Sequence, residues 1–382
     1  MSETKPTAPR PRVLLVGPWP PTKGGVTTFM QNLASDPELA QRYAFHAHST
    51  SRPPKEDTTE NWGYHALFAG GLWRAAVAAW VSLWHMIVFP LRVVRWRIDI
   101  VQVMASDFLV FWESVAYVLV AKALRRATVL RLGGAFDRFW DASGPRARRW
   151  IAWGIGLPDR LIVQSDYWVG VAATAGRTSG VVVVNNWVGD DLPNPAPRPV
   201  RPVPELLFIA GNEATRKGVD TLLAALDQLY RGTIDFRLTM VAVPGPLRTR
   251  VTALPWAERI SCHGFVERAA VLALMDQADV FVLPSRGEGF PNSLVEAMAR
   301  GCAAIATPVG AVPEVMEHGV SGMIVPVDQP DSLAATLTQL VTAPDLRRAL
   351  ATAAVARVTS RFTASAIRAV IDGLYQPLLT RR

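Results

Sequence analysis

The sequence predicts an α/β chain of two doubly wound domains, and three observations carry that prediction. Strand-length apolar runs alternate with helical stretches through both halves, the pattern of parallel sheets covered by helices. With 382 residues, 50% of them hydrophobic and 19% charged, the chain can bury two cores of ordinary size and is not disordered. Between Asp190 and Pro204 stand six prolines, which can be neither helix nor central strand and read as a domain boundary. In such folds ligands collect beyond the carboxyl ends of the strands, and a stiff linker puts the crevice between the domains.

The first element is Arg12-Val-Leu-Leu-Val-Gly17, a strand. It follows a polar, Pro-rich tail over residues 1–11, expected to be disordered and unlike a signal peptide. A helix is predicted from Val26 to Ala34. The Gly24-Gly25 pair at its start would let backbone approach a pyrophosphate or sugar, although a plain surface turn reads as well. The spacing is not Gly-x-Gly-x-x-Gly, so a dinucleotide fingerprint is absent. Residues 50–62 form a polar loop, expected to be mobile and near an acceptor.

Ala75 to Leu91 is a run of 17 residues without formal charge, containing Trp80, Trp84 and Phe89 and followed by Arg92, Arg95, Trp96 and Arg97. It reads as a buried helix or as a helix lying in a membrane interface. It is at the lower limit for a span, and His85 and Pro90 count against one. Phe108 to Val120, broken by Glu113, extends that surface or packs on the sheet. Ala127 onward reads as a strand, a Gly133-Gly134 turn and an aromatic stretch with Asp137 and Arg138. Leu161–Ser165 and Val181–Asn186 complete the strands of this half. Ser165 and Asn185-Asn186 read equally as strand-end caps or as site residues.

In the second half Glu205 to Gly211 restarts the strand pattern, and a helix runs from Val219 to Tyr230. Before it, Arg216-Lys217-Gly218 sets two cations on a loop at a helix start, which suits a diphosphate leaving group. Arg216 reads alternatively as a solvated loop charge. Phe236–Val243 and Ile260–Val266 are the next strands, with His263 a packed strand-end residue. The most informative stretch is Val280-Phe-Val-Leu-Pro-Ser-Arg-Gly-Glu-Gly-Phe-Pro-Asn-Ser-Leu-Val-Glu-Ala-Met-Ala-Arg-Gly301. It reads as a buried strand (Val280 to Leu283), a glycine loop, and a helix capped by Asn292 or Ser293 and stopped at Gly301. Such a junction presents backbone N–H groups to a phosphate. Glu288 and Glu296 bracket it, and Glu296 suits sugar hydroxyls. Complementing the helix dipole, worth ~0.3–1 kcal/mol, would not require Gly287, Gly289 and Pro291.

Glu288-x7-Glu296 inside Gly-Glu-Gly-Phe-Pro-Asn-Ser-Leu-Val-Glu-Ala resembles the signature of the family 4 glycosyltransferases. These are retaining, nucleotide-sugar-dependent enzymes with two Rossmann-like domains facing each other across a cleft (GT-B). The likeness is good over residues 205–335, including Ala303 to Val325, and loose before 200. It implies an acceptor-binding domain over 12–195, a nucleotide-sugar domain over 196–361, and a helix over 362–382 packing back on the first domain. It makes Lys217, Arg216 and Glu288 the catalytic residues. Gly24, Gly25 and Gly211 would face the donor phosphates, and Gly264 and Phe265 the base. Glu288, Gly289 and Phe290 would hold the sugar, Pro291, Asn292, Ser293 and Leu294 would complete the donor-binding loop, and Glu296 would bind the ribose. Two departures stand out. Asn212 occupies a place where relatives often have arginine, and Leu132 one where they often have histidine, so that loop offers no acid or base.

Asp-x-Asp occurs nowhere, and no His/Cys cluster has metal spacing. The expectation is therefore no metal and no cofactor beyond a UDP- or GDP-linked donor, with the leaving charge met by Lys217, Arg216, helix N-termini and loop amides. No residue reads as a general base, so the leaving phosphate would take the acceptor proton. The expected function is hexose transfer to a glycan or lipid-linked (polyprenyl) acceptor in surface polysaccharide synthesis. A non-catalytic glycosyltransferase-like subunit of a membrane assembly and a nucleotide-sugar epimerase are the alternatives. A hydrolase using the paired glutamates would leave the phosphate-binding parts idle.

The net charge of +8 is uneven: residues 1–200 hold 22 Lys and Arg against 15 Asp and Glu, and 12 of 13 tryptophans. A basic, Trp-rich half suits an anionic membrane surface better than nucleic acid. Cys262 and Cys302 give no disulfide framework, which suggests a reducing cytosol, with the protein peripheral on the inner face of the plasma membrane.

Overall fold

The computed structural model describes residues 10–20, 22, 24–51, 71–106, 108–133, 136–193, 195, 201–211 and 213–380. The tail up to Pro9, the loop from 52 to 70, Gly134 and Asn212 lie outside the described residues. The chain forms two compact units, Met1–Asn185 with Arg368–Arg382, and Asn186–Ile367.

The first unit is built on six parallel strands: β1 (Arg12–Gly17), β2 (Ala44–Ser49), β3 (Ile100–Ala105), β4 (Ala127–Leu132), β5 (Arg160–Val163) and β6 (Val181–Val183). Their order is β2-β1-β3-β4-β5-β6, so the direction of winding reverses between β1 and β3. Helices cover both faces, which is why Val13 to Val16 are apolar without alternation and fully buried. The helices are α1 (Gly25–Ser35), α2 (Pro37–Arg42), α3 (Gly71–Arg95), α4 (Phe108–Ala123), α5 (Phe136–Ala142), α6 (Pro145–Gly156) and α7 (Asp166–Thr174). Just before β1 the Pro11 carbonyl accepts the Ala44 amide at 2.8 Å, extending the β1–β2 edge.

α3 is neither a span nor a fully buried helix. Among the described residues no helix is long and apolar enough to cross a membrane. Phe89 and Val93 enter the core, while Trp80, Trp84, Ile87 and Leu91 stay exposed. α4 packs on β3 and β4 through Phe111, Val115 and Val118.

The second unit repeats the plan with β7 (Glu205–Ile209), β8 (Arg237–Val241), β9 (Ile260–Cys262), β10 (Val280–Leu283), β11 (Ala303–Ala306) and β12 (Met323–Ile324). All are parallel, in the order β12-β11-β10-β7-β8-β9. Winding runs outward from β7 through β8 to β9, then returns to the other side of β7 with β10. Its helices are α8 (Val219–Arg231), α9 (Gly245–Thr252), α10 (Arg268–Gln277), α11 (Asn292–Ala299), α12 (Val312–Val315), α13 (Pro330–Thr342), α14 (Pro344–Arg361) and α15 (Ala364–Leu379). Two apolar clusters lie on its two sheet faces, one around Leu206, Phe208 and Leu222, the other around Leu207, Phe281 and Leu294.

Two expectations need correction. The unit boundary falls at Asn185/Asn186, ahead of the proline run. Val188 donates to the Phe362 carbonyl at 2.9 Å and is buried with Leu192 in the second core, so this stretch is held by the second unit. The cap of α11 is Pro291, not Asn292 or Ser293, and no side chain caps it. Asn292 is the first helical residue, and its Oδ1 accepts from Asn186 Nδ2 at 2.8 Å instead. The helix does end before Gly301, which is left-handed (φ 74°) as expected of a C-terminal glycine.

From Arg368 onward α15 belongs to the first unit. Arg368 pairs with Asp36 at 3.0 Å and with Glu38 at 2.7 Å. Tyr375 donates to Gln102 Oε1 at 2.7 Å beneath it. Asp36 also caps α2, accepting the Glu38 and Leu39 amides.

Candidate functional site at the switch point of the second sheet

β7 and β10 are hydrogen-bonded neighbours from which the chain winds in opposite directions, the switch point beyond whose carboxyl edge open α/β sheets bind their ligands. The loop after β7 carries Glu213, Arg216, Lys217 and Gly218. The loop after β10 carries Ser285 to Pro291. They are tied by the Arg286 amide donating to the Arg216 carbonyl at 2.8 Å. Gly218 lies at φ 78°, and a Cβ there would stand 1.9 Å from the Pro284 carbonyl oxygen. A third loop, after β11, presses Gly310 against the Glu288 carbonyl, where a Cβ would stand at 1.8 Å. Both positions admit only glycine.

This packing sets the charges. Lys217 Nζ lies 2.7 Å from Glu288 Oε1, and Ser285 Oγ donates to the same oxygen at 2.7 Å. The Glu288 side chain is only 6% exposed, and stripping a buried carboxylate of its cation costs several kcal/mol, about 3–5 by analogy with other buried pairs. Arg216 is no solvated loop charge. It pairs with Glu213 at 2.7 Å, donates to the Gly287 carbonyl and lies 3.8 Å from Glu288 Oε2. Arg286, beside it, pairs with Asp328 at 2.8 Å, and these bonds to Asp328 and its charge raise the guanidinium's pKa further. The result is a carboxylate and two cations converging above glycine-rich backbone, able to bind a diphosphate and a sugar hydroxyl side by side.

The remaining predicted residues divide. Glu296 stands on α11, where its Oε1 accepts both Nε (2.9 Å) and a terminal nitrogen (2.8 Å) of Arg268 from α10. Gly211 is left-handed at φ 66° directly after β7. Gly264 accepts the Ala242 amide at 3.1 Å past the end of β9, and Phe265 next to it is exposed. Gly289 and Ser293 are half-buried. Phe290, by contrast, turns its ring inward against Phe362 with centroids 6.0 Å apart, so it presents only backbone to a ligand. Pro291 and Leu294 are likewise buried and shape the loop from beneath. Gly24 and Gly25 open α1 of the first unit, at that sheet's own reversal between β1 and β3.

Sequence reasoning missed Ser285, Gly310 and Arg268. Ser285 and Gly310 each follow an apolar strand within a few residues, the signal that marked Lys217 and Glu288. Arg268 carries no such signal, since it meets Glu296 only through the packing of α10 on α11.

Comparison with known proteins adds the family. Residues 203–343 match the family described as "Glycosyl transferases group 1". WcaL of Salmonella typhimurium, named as a colanic acid biosynthesis glycosyltransferase, is 29% identical over 58% of this chain and 57% of its own. The phosphatidyl-myo-inositol mannosyltransferase of Mycolicibacterium smegmatis is 34% identical over 45% of this chain and 44% of its own. The chain thus spans about half the length of the curated relatives it matches. Anabaena HepE, solved in complex with UDP and glucose, superposes with a TM-score of 0.70 over 95% of this chain and 99% of its own at 17% identity, a likeness of fold. Residues 203–343, which hold all three loops of the switch-point site, are thus similar to the group 1 glycosyl transferases, and the two parallel sheets form the two-domain α/β fold of GT-B type that the solved glycosyltransferases share.

Proposed function

We propose that the protein is a retaining glycosyltransferase that moves a hexose from a UDP- or GDP-sugar to a glycan or lipid-linked acceptor in surface polysaccharide synthesis. The observation that carries this reading is the Lys217–Glu288 pair beside Arg216 at the switch point. In the proposed step an acceptor hydroxyl oxygen bonds to the anomeric carbon on the face from which the diphosphate departs. The anomeric C–O bond breaks with its electron pair going to the diphosphate, and a diphosphate oxygen takes the acceptor proton. Negative charge therefore grows where Lys217 and Arg216 point, and these cations, with the loop amides, stabilise it without a metal. Glu288, fixed by Lys217 and Ser285, accepts from the sugar hydroxyls, and Glu296 accepts from the ribose. The HepE complex with UDP and glucose supports a nucleotide-sugar donor. The relatives named as glycosyltransferases support the reaction class. The acceptor is proposed to lie at the inner face of the plasma membrane, a reading supported by the basic, Trp-rich first half.

The test is a thermal shift of the purified protein with UDP, GDP, ADP and their common sugars, with and without EDTA. A single nucleotide class should raise the midpoint irrespective of chelator, since only native-state binders stabilise. Silence across the panel would sink the donor reading, and a shift abolished by EDTA would sink the metal-free step. Lys217→Ala should lower transfer about 10²–10³-fold, the scale of losing one preorganised charge partner. Near-normal turnover would remove the leaving-group role.

A further inference from the structure

We propose that the outer face of α3, together with the exposed tryptophans of α6, which packs with α3 on either side of α4, is the surface by which this protein lies on an anionic lipid bilayer. This deepens the acceptor reading above and takes its biological purpose from it. The surface argument stands on the first unit alone.

Among the described residues α3 is held by one face. Phe89 and Val93 are fully buried, and Arg92 donates to His48 Nδ1 at 3.1 Å, which roots the helix in the sheet. On the opposite side Trp80, Leu83, Trp84, Ile87, Leu91 and Val94 recur every three or four residues and form one continuous stripe. Trp80 is 65% exposed and Trp84 55%. A helix apolar on both sides that buries only one leaves a patch of the kind soluble surfaces avoid. α6 shares the layer: Ile151 and Ile155 enter the same core cluster as Phe89 and Val93. Outward it shows Trp150 and Trp153, edge to face at 5.8 Å.

The charge chooses the occupant. Neither α3 nor α6 contains an acidic residue. Arg95, exposed, closes the stripe at the end of α3. Arg146 and Arg149 are exposed on the helix that carries Trp150 and Trp153. Tryptophan at the level of the headgroups and arginine reaching their phosphates is the composition of a helix lying in the interface plane, and an apolar protein partner would gain nothing from the cations.

The experiment is flotation of the full chain with phosphatidylcholine vesicles, with and without phosphatidylglycerol. Neither donor nor acceptor is present, so the result is independent of nucleotide binding. The wild type should float only with the anionic vesicles, and Trp80→Ser with Trp84→Ser should weaken this about tenfold or more through lost interfacial burial. Arg149→Glu should weaken it as well and make what remains less salt-sensitive. Both variants should keep the wild-type melting point and nucleotide shift. No flotation by the wild type, equal flotation without anionic lipid, or undiminished binding by the double variant would each overturn the proposal. So would a wild-type oligomer that the double variant turns into monomer, because a second copy would then own the face. Failure here with an intact nucleotide shift would leave the transferase reading standing, and the reverse result would separate them equally well.

Discussion

Gly218 shows how far single residues govern the site. Its φ of 78° and the Pro284 oxygen 1.9 Å from where a Cβ would lie mean that any side chain must push the loop after β10 away from the loop after β7. Gly218→Ala should therefore cost about 3 kcal/mol, the sum of a left-handed backbone and an overpacked contact. Loss of the nucleotide shift should accompany the lower melting point, and a melting point within a degree or so of wild type (about 0.3 kcal/mol or less) would contradict the packing argument. Lys217 and Glu288 were legible in the sequence because each sits in a glycine-flanked loop between an apolar strand and a helix. Arg268 was not, because its partner Glu296 is set by the packing of α10 on α11, whereas Ser285, bound to Glu288 three residues on, carried the same signal and was passed over. The direction of the Phe290 ring was not legible either: an aromatic residue beside Gly289 and Pro291 reads alike whether it turns outward or, as here, against Phe362.

Among the elements, β2 and α3 form a pH-sensitive joint. His48 is fully buried, with the Phe89 and Tyr117 rings 5.5 and 5.6 Å away. Burial above all, then the charges of Arg92 and His85, push its pKa down to about 3. An unfolded histidine titrates near ~6.5. Between that value and about 3 the unfolded chain holds a proton that the native chain refuses, so stability falls as pH falls. The slope from this group is at most ~1.4 kcal/mol per pH unit and vanishes above the unfolded value. His48→Gln keeps an acceptor for Arg92 and should flatten the curve across that window relative to wild type. Parallel curves in urea melts would exclude His48 as the titrating group. The strands and most helices were legible as apolar runs bounded by turn residues. The α11 cap was not, since Asn292 is a good capping residue by type and its choice of Asn186 as partner comes from the fold.

At the scale of the whole molecule, two units each hold their own apolar core, and the last fifteen residues return to the first. Truncation after Ile367 should uncover Asp36 and Gln102, removing Arg368 from one and Tyr375 from the other. The first unit should then melt earlier, by several degrees if the buried pair and packing are worth about 3 kcal/mol or more. The nucleotide shift should survive if Lys217, Arg216 and Glu288 carry most of the donor contact, because they lie in Asn186–Ile367. Equal loss in both units would mean that the helix serves them jointly. The two-domain α/β class and the skew of charge and tryptophan were written in the sequence. Strand order was not: parallel strands buried on both faces share one composition, and only pairing tells which lie next to which.

The order β8-β7-β10 has a consequence in time. Lys217 and Glu288 are 71 positions apart, and β8 and β9 are synthesised between them onto the far side of β7. Until β10 arrives, β7 shows an open edge and Gly218 has no Pro284 above it. Every partly folded state that lacks β10 therefore lacks Glu288 and half of the proposed donor site, however complete its first three strands. On the proposed reading, nucleotide binding should appear only once β10 has docked and should be lost whenever it detaches.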